Sequence, residues 1–415
     1  MAEIFLEDVQ LWPCTPPRAP HPDPHPRGRW TGNEISESTD LISFAAIVSE
    51  FDLPQITLSH GPGVPLNRNS NSNYPVALGT GSFSEVGIHE ITPAEAVQVE
   101  KDPSLAAKSR VALKKYLVTS AQRDAPRVAQ EAILKELRTL CHPHIRNEWI
   151  CPLLFVGWDT TSDIPLLGLQ LAQFGNLQDL ASASNLSPLL CFRLLQDIAS
   201  GLQVLHRHGI VHCDLKPQNI LVFRSTSHLA VAKLSDFGEA IFIKEQNWND
   251  TVGLKGTRLW QPPERSIATI SYAGMVDIYS FGLISVSLFC NLGRFFLYDK
   301  PLTPMEWLWE DTEPFAPSMP LSEIEKAKQR DDGASDSVLQ FAVSHINKKL
   351  EPSLFKDVAL EVTRGCLRKH AAHRLQADDL LSAFRNWSGR LHRDGLITNL
   401  VAWNGQNQDP HMHRS

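Results

Sequence analysis

From His212 to Val222 the chain reads His-Cys-Asp-Leu-Lys-Pro-Gln-Asn-Ile-Leu-Val, and a mostly apolar run from Leu229 to Leu234 leads to Asp236-Phe237-Gly238. Asp214, Lys216 and Asn219 stand at fixed offsets, and Asp236 adds a second acid. Singly, each is an ordinary turn or cap residue, because short Asp and Asn side chains bond readily to nearby backbone. Together they demand a fold that brings two acids, a cation and an amide to one point between hydrophobic segments. Phosphoryl transfer needs such a set. Asp214 can orient an acceptor hydroxyl and take its proton, Lys216 can neutralise a migrating phosphate, and Asn219 with Asp236 can hold Mg²⁺ against a nucleotide.

The motifs His-x-Asp-Leu-Lys-Pro-x-Asn and Asp-Phe-Gly resemble those of the eukaryotic protein kinases, and the resemblance runs from about Leu78 to Phe384. It implies an α+β, two-lobed protein-kinase-like fold, with a small antiparallel-sheet lobe carrying one main helix and a larger helical lobe. The chain then divides into a Pro/His-rich leader and linker (1–75), a small lobe (76–175), a large lobe (176–390) with an expanded 297–349 region, and a tail (391–415). Within the first part, apolar content recovers between Leu41 and Ile56, in a segment able to pack on the small lobe. In the expansion, Glu306, Glu310, Asp311 and Glu313 surround Trp307 and Trp309, a solvated face with packed indoles or a partner surface.

Other pieces follow in the order such an enzyme requires. Val76 to Val86 reads as a strand, a glycine turn and a second strand, where Gly79 and Gly81 let backbone approach phosphate oxygens without a Cβ in the way. Ser84 stands where the family has its third glycine. By resemblance Leu78, Gly79, Gly81, Val86 and Ala112 border the nucleotide, and Lys114 is the strand lysine that meets its phosphates. Strand alternation turns Lys115 to the other side. The stretch from Ile88 to Ser109 reads as a surface insertion. Apolar spacing at Ile133, Leu137 and Leu140 predicts a helix, and the resemblance implies that one of its glutamates pairs with Lys114; Glu136 is the candidate and Glu131 the alternative. By resemblance Leu169 is the gatekeeper, Gln170 and Ala172 face adenine, and Leu221 completes the cofactor-binding set. By the same resemblance Pro262-Pro263-Glu264 takes the Ala-Pro-Glu position, Arg374 matches the arginine that pairs with Glu264, and Asp277 matches the acid that anchors the catalytic loop.

The resemblance implies ATP and Mg²⁺ as cofactors, with Asn219 and Asp236 as metal ligands. Lys216 and the Gly256-Thr257 pair resemble the serine/threonine type, and the helix around Glu136 resembles that of divergent fungal kinases. Protein substrates are the implied partners. Two other readings remain: a pseudokinase scaffold, which would commonly have lost part of the set Lys114, Asp214, Asn219 and Asp236, and a kinase of small metabolites, which would lack the peptide platform. Cys213 replaces the arginine that would pair with a phosphorylated activation loop, so activity is expected not to depend strongly on phosphorylation at Thr251. The net charge of −7 offers no broad positive field for nucleic acid. Seven scattered cysteines without Cys-x-x-Cys spacing suit a reducing compartment, cytoplasm or nucleus. The N-terminus does not read as a secretory signal, and the apolar run Ile278 to Cys290 falls short of the roughly 20 residues that span a bilayer. It predicts a buried core helix.

Overall fold

The computed structural model describes residues 41–49, 51, 53–58, 77–80, 84–98, 106, 109–116, 125–158, 164–183, 186–225, 230–246, 252–264, 266–267, 272–291 and 337–395. The leader before Leu41, Gly81, Thr251, the Trp307/Trp309 stretch and the tail beyond Gly395 lie outside the described residues.

One six-stranded sheet builds the first lobe, in the order β1-β5-β6-β4-β3-β2. Its strands are β1 (Gln55–Thr57), β2 (Ala77–Thr80), β3 (Ser84–Glu90), β4 (Arg110–Tyr116), β5 (Leu153–Trp158) and β6 (Leu166–Gln170). Three helices accompany it: α1 (Leu41–Ser49), α2 (Pro93–Gln98) and α3 (Ala125–Leu140). β4 shows why the sheet has two working faces. Val111 joins Ile56, Ile91 and Phe155 in an outer cluster, whereas Ala112 belongs to the core that continues into the second lobe and Tyr116 packs under α3. Side chains two apart share a face, so Lys114 lies between Ala112 and Tyr116 on the inner side. Ile133, Leu137 and Leu140 are the buried stripe of α3, as their spacing predicts.

Residues upstream of 76 extend this lobe. Ile47 and Val48 of α1 pack with Ile133, Leu134 and Leu137, and β1 runs parallel to β5 while the other pairings in the sheet are antiparallel. A three-residue strand has too little alternation to be read from sequence. The stretch after Ile88 contributes too: β3 continues to Glu90, and α2 starts with a capping box. There Thr92 Oγ1 accepts from Glu95 N (3.2 Å) and Glu95 Oε2 accepts from Thr92 N (3.0 Å). Gln98 reaches back to Thr57, so the insertion is tied to β1.

The second lobe contains α4 (Leu177–Ala183), α5 (Pro188–Arg207), β7 (Ile210–Val211), β8 (Ile220–Arg224), β9 (Ala230–Leu234), β10 (Ile241–Phe242), β11 (Val252–Gly253) and β12 (Ser266–Ile267). Helices α6 (Met275–Asn291), α7 (Ser337–Lys349), α8 (Leu354–Cys366) and α9 (Ala377–Arg393) complete it. Of the 297–349 expansion, only α7 falls among the described residues. Ser187 caps α5 by accepting from Leu190 N (3.2 Å), and Pro188 occupies the first turn, where a missing N–H costs nothing. α6 is mostly apolar and buried on nearly every side, with Ile278, Phe281, Ile284 and Leu288 excluded from water. A Cβ at Gly282 would stand 2.7 Å from Cys366 Cβ, so glycine sets how closely α6 and α8 approach. No helix among the described residues is long and apolar enough to cross a membrane.

Asp197, on α5, is half-buried behind β9 and accepts from Ala232 N (3.0 Å). Burial pushes its carboxyl up to about 7, against that bond and the opposing charge of Arg193. The folded chain therefore keeps a proton that the unfolded chain releases near 3.8. This contribution to stability is fully present below the lower value and is lost as pH rises through the upper one. Asp197→Asn keeps an acceptor for Ala232 and should flatten the fall in urea-unfolding free energy between about pH 5 and 7. An unchanged slope would clear Asp197 of the effect.

Candidate active site

The loop from His212 to Asn219 is held from below by one carboxylate. Asp277, near the start of α6, accepts from His212 N (2.8 Å) and Cys213 N (2.9 Å) and lies 2.9 Å from His206 Nε2. His212 is fully buried, with Nε2 3.0 Å from Ser235 O and its ring against Phe237. Cys213 and Asp236 have φ of 65° and 63°, the non-glycine residues in the left-handed region among those described. Such conformations cost about 1–3 kcal/mol each and persist only where surrounding bonds over-determine them. Burial raises the Cys213 thiol well above its ordinary value, chiefly by desolvation, so the thiol stays protonated and unreactive.

Three groups converge on the Asp214 carboxylate. Its Oδ1 accepts from Thr257 N (2.6 Å), and its Oδ2 accepts from Lys216 Nζ (2.7 Å) and Asn219 Nδ2 (3.1 Å). Lys216 also donates to Thr257 Oγ1 (2.8 Å), and Asn219 Nδ2 donates to Asp214 O (2.8 Å). Gly256 makes this closure possible, since a Cβ there would stand 2.3 Å from Cys213 O and 2.9 Å from Asp214 Oδ1. The Gly256-Thr257 pair is thus locked onto the catalytic loop through backbone.

Across the cleft, Lys114 Nζ lies 2.7 Å from Glu136 Oε2 and 2.8 Å from Asp236 Oδ1. It is Glu136, rather than the half-buried Glu131, that meets the lysine. The side chains of Lys114 and Glu136 are 4% and 1% exposed, whereas that of Asp236 is 39% exposed and opens into the cleft. One ammonium thus serves two carboxylates. Burial opposes charge on Lys114, yet Asp236 and Glu136 outweigh it and hold its pKa well above the usual value. Burial raises the Glu136 carboxyl against the pull of Lys114; at Asp236 the same desolvation loses to the Lys114 charge, and the pKa falls. Asp236 is therefore the more acidic of the two carboxylates. Tyr116 donates its hydroxyl to the same Glu136 Oε2, and the Lys114 ammonium lies 4.9 Å from its ring centroid. Sequence reasoning missed Tyr116, although alternation along β4 puts residues 112, 114 and 116 on one face.

Of the other candidates, Ala112 and Leu169 are buried in the cluster joining the lobes, with Val86, Leu221 and Ala172 packed against it. Gly79 pairs with Val86 across the β2–β3 ladder. Gln170 N donates to Pro152 O (3.1 Å) and Ala172 O accepts from Gly175 N (3.3 Å), which closes the connection between the lobes into a turn.

A protein kinase domain model matches residues 76–384, more than half of the chain. The chain belongs to the protein kinase family. It is 33% identical over 159 residues to mitogen-activated protein kinase kinase kinase 13-A of Xenopus laevis, covering 38% of this chain and 15% of that protein. It is 31% identical over 201 residues to serine/threonine-protein kinase dkf-1 of Caenorhabditis elegans, covering 48% and 25%. Serine/threonine-protein kinase BCK1/SLK1/SSP31 of Saccharomyces cerevisiae is 26% identical over 246 residues, covering 57% and 15%. The matched stretch is thus a quarter or less of each relative's own length.

In this kinase the end of the activation segment is fastened to the large lobe by Arg374, whose guanidinium meets Glu264 twice (2.6 and 2.8 Å). Its other donors go to the carbonyls of Arg368, Met275 and Lys369, so every N–H is used. Glu264→Ala leaves that charge buried without its counter-ion and should cost about 3 kcal/mol. Urea unfolding with an unchanged m-value would register it; a shift of the midpoint within error would show that the three carbonyls suffice.

Proposed function

We propose that this protein kinase transfers the γ-phosphoryl group of ATP to serine and threonine hydroxyls of protein substrates. The observation that carries the reading is the pair of facing clusters, Lys114 with Glu136 and Asp236 on one side, and Asp214 with Lys216, Asn219 and Thr257 on the other. Lys114, kept cationic, would fix the nucleotide's phosphates. Asp214, with both carboxylate oxygens steered by donors, would align the acceptor hydroxyl and take its proton, and Lys216 would meet the charge gathering on the transferred group. Leu78, Val86, Ala112 and Leu221 would enclose the adenine, Gly79 and Gly81 would cover the phosphates, and Gln170 with Ala172 would read the base edge through backbone.

Asn219 and Asp236 fit a hard divalent cation. With Nδ2 occupied by Asp214, Asn219 has its Oδ1 to offer, and Asp236 has the oxygen that Lys114 does not use. Mg²⁺ is commonly held through one or two carboxylates plus phosphates and water, so two side chains would suffice. When bound, the ion would neutralise phosphate charge. The serine/threonine assignment rests on Lys216 and Thr257 and on the names of the relatives above. Free thiols at Cys141, Cys151, Cys191, Cys213, Cys290 and Cys366 suit a reducing compartment, cytoplasm or nucleus.

A radiolabelled ATP transfer assay with generic protein acceptors tests the reading, with Asp236→Ala as the inactive control. Asp214→Asn should lower kcat by roughly 10²- to 10⁴-fold while nucleotide affinity holds, because it removes the base and not the phosphate contacts. Near-normal turnover by that variant would remove Asp214 from its role.

A further inference from the structure

Glu136 owes its placement to a single oxygen. Lys114 and Tyr116 both bond Oε2, and Oε1 is buried without a hydrogen-bond partner, so the polar hold on α3 from the sheet side passes through one atom. Two residues further along α3, Arg138 points away from the sheet and meets the activation segment. Its Nη1 donates to Glu245 Oε2 (3.0 Å) and its Nη2 to Glu245 Oε1, a parallel two-bond pair, and the guanidinium carbon lies 4.3 Å from the Phe242 ring centroid. Glu245 is fixed in turn on the large lobe. It ends the short 3-10 turn Ile243–Glu245 directly after β10, β10 pairs with β7, and Ile243 N donates to Gly209 O (2.8 Å). Gly209 and β7 lead straight into the loop that carries Asp214.

The two side chains are 25% and 28% exposed, and Glu245 itself lies at the surface. Exposed ion pairs contribute little, but a planar two-bond contact stacked on an aromatic ring loses less entropy per bond and is screened less. The position next to the catalytic aspartate is Cys213, a buried neutral thiol that could not receive a phosphate. The negative charge that reaches α3 is instead written into the sequence as Glu245.

Resting on the kinase reading above, we infer that Arg138 and Glu245, seated on Phe242, form a built-in brace between α3 and the activation segment. It holds Glu136 against Lys114 without any phosphate being added to that segment. Both are positioning residues, acting through Lys114 on the nucleotide.

The test uses the full chain, phosphatase-treated and untreated, as wild type, Glu245→Gln, Arg138→Gln and the exchanged double variant R138E/E245R. Steady-state kinetics against ATP, hydrogen exchange across α3 and urea midpoints are measured for each. The expected result is that phosphatase leaves wild-type activity intact and that each single variant loses roughly three- to tenfold in kcat/KM for ATP. Exchange in α3 should rise, the midpoint should hold, and the exchanged pair should recover most of the loss. Single variants with wild-type kinetics and unaltered α3 exchange would overturn the brace, as would strong inactivation of wild type by phosphatase. A wild type that transfers no phosphate would sink the kinase reading alone, since α3 exchange in the variants still decides whether the brace exists.

Discussion

An ammonium buried between two carboxylates governs this structure. Removing a charge from water costs several kcal/mol, so Lys114 can lie 3% exposed only if its counter-charges arrive from elsewhere in the chain. Glu136 comes from α3 and Asp236 from the turn after β9. A strand, a helix and a loop from both lobes are therefore bound to one nitrogen. The asymmetry between the two acids follows from their surroundings: the dry Glu136 serves as a structural partner, and the open, more acidic Asp236 is the one a ligand could use.

A second carboxylate does comparable work one layer lower. Asp277 accepts from two successive backbone N–H groups and so imposes the left-handed turn at Cys213 that presents Asp214. The strain at Cys213 and Asp236 is small beside the bonds that over-determine it, and it falls at the two residues flanking the cleft. Arg374 anchors the far end of the activation segment in the same manner, through a full set of acceptors around a buried cation. Charge compensation, rather than apolar packing alone, fixes the relative position of these loops.

Much of this was legible in the chain because the chemistry sits in short, ordered motifs. Ile133, Leu137 and Leu140 defined the inner stripe of α3, and Glu136 falls in that stripe three residues after Ile133, whereas Glu131 does not. Local periodicity could go no further. β1 is too short to alternate visibly and depends on β5, whose Val156 pairs with Gln55. Contacts such as Thr257 N on Asp214, or Arg138 on Glu245, join segments whose separation leaves no trace in spacing. Tyr116 was readable in principle, but its hydroxyl gains meaning only once α3 is placed above it.

The upstream segment 41–58 carries a practical consequence. A fragment trimmed to the family boundary at residue 76 would strip β1 from the rim of β5, baring a row of backbone donors and acceptors. It would also uncover the greasy back of α3 where Ile47 and Val48 now sit. Bare sheet rims recruit other chains. Such a shortened kinase would be prone to clump on expression, and its lost activity would then report sticky ends rather than faulty chemistry.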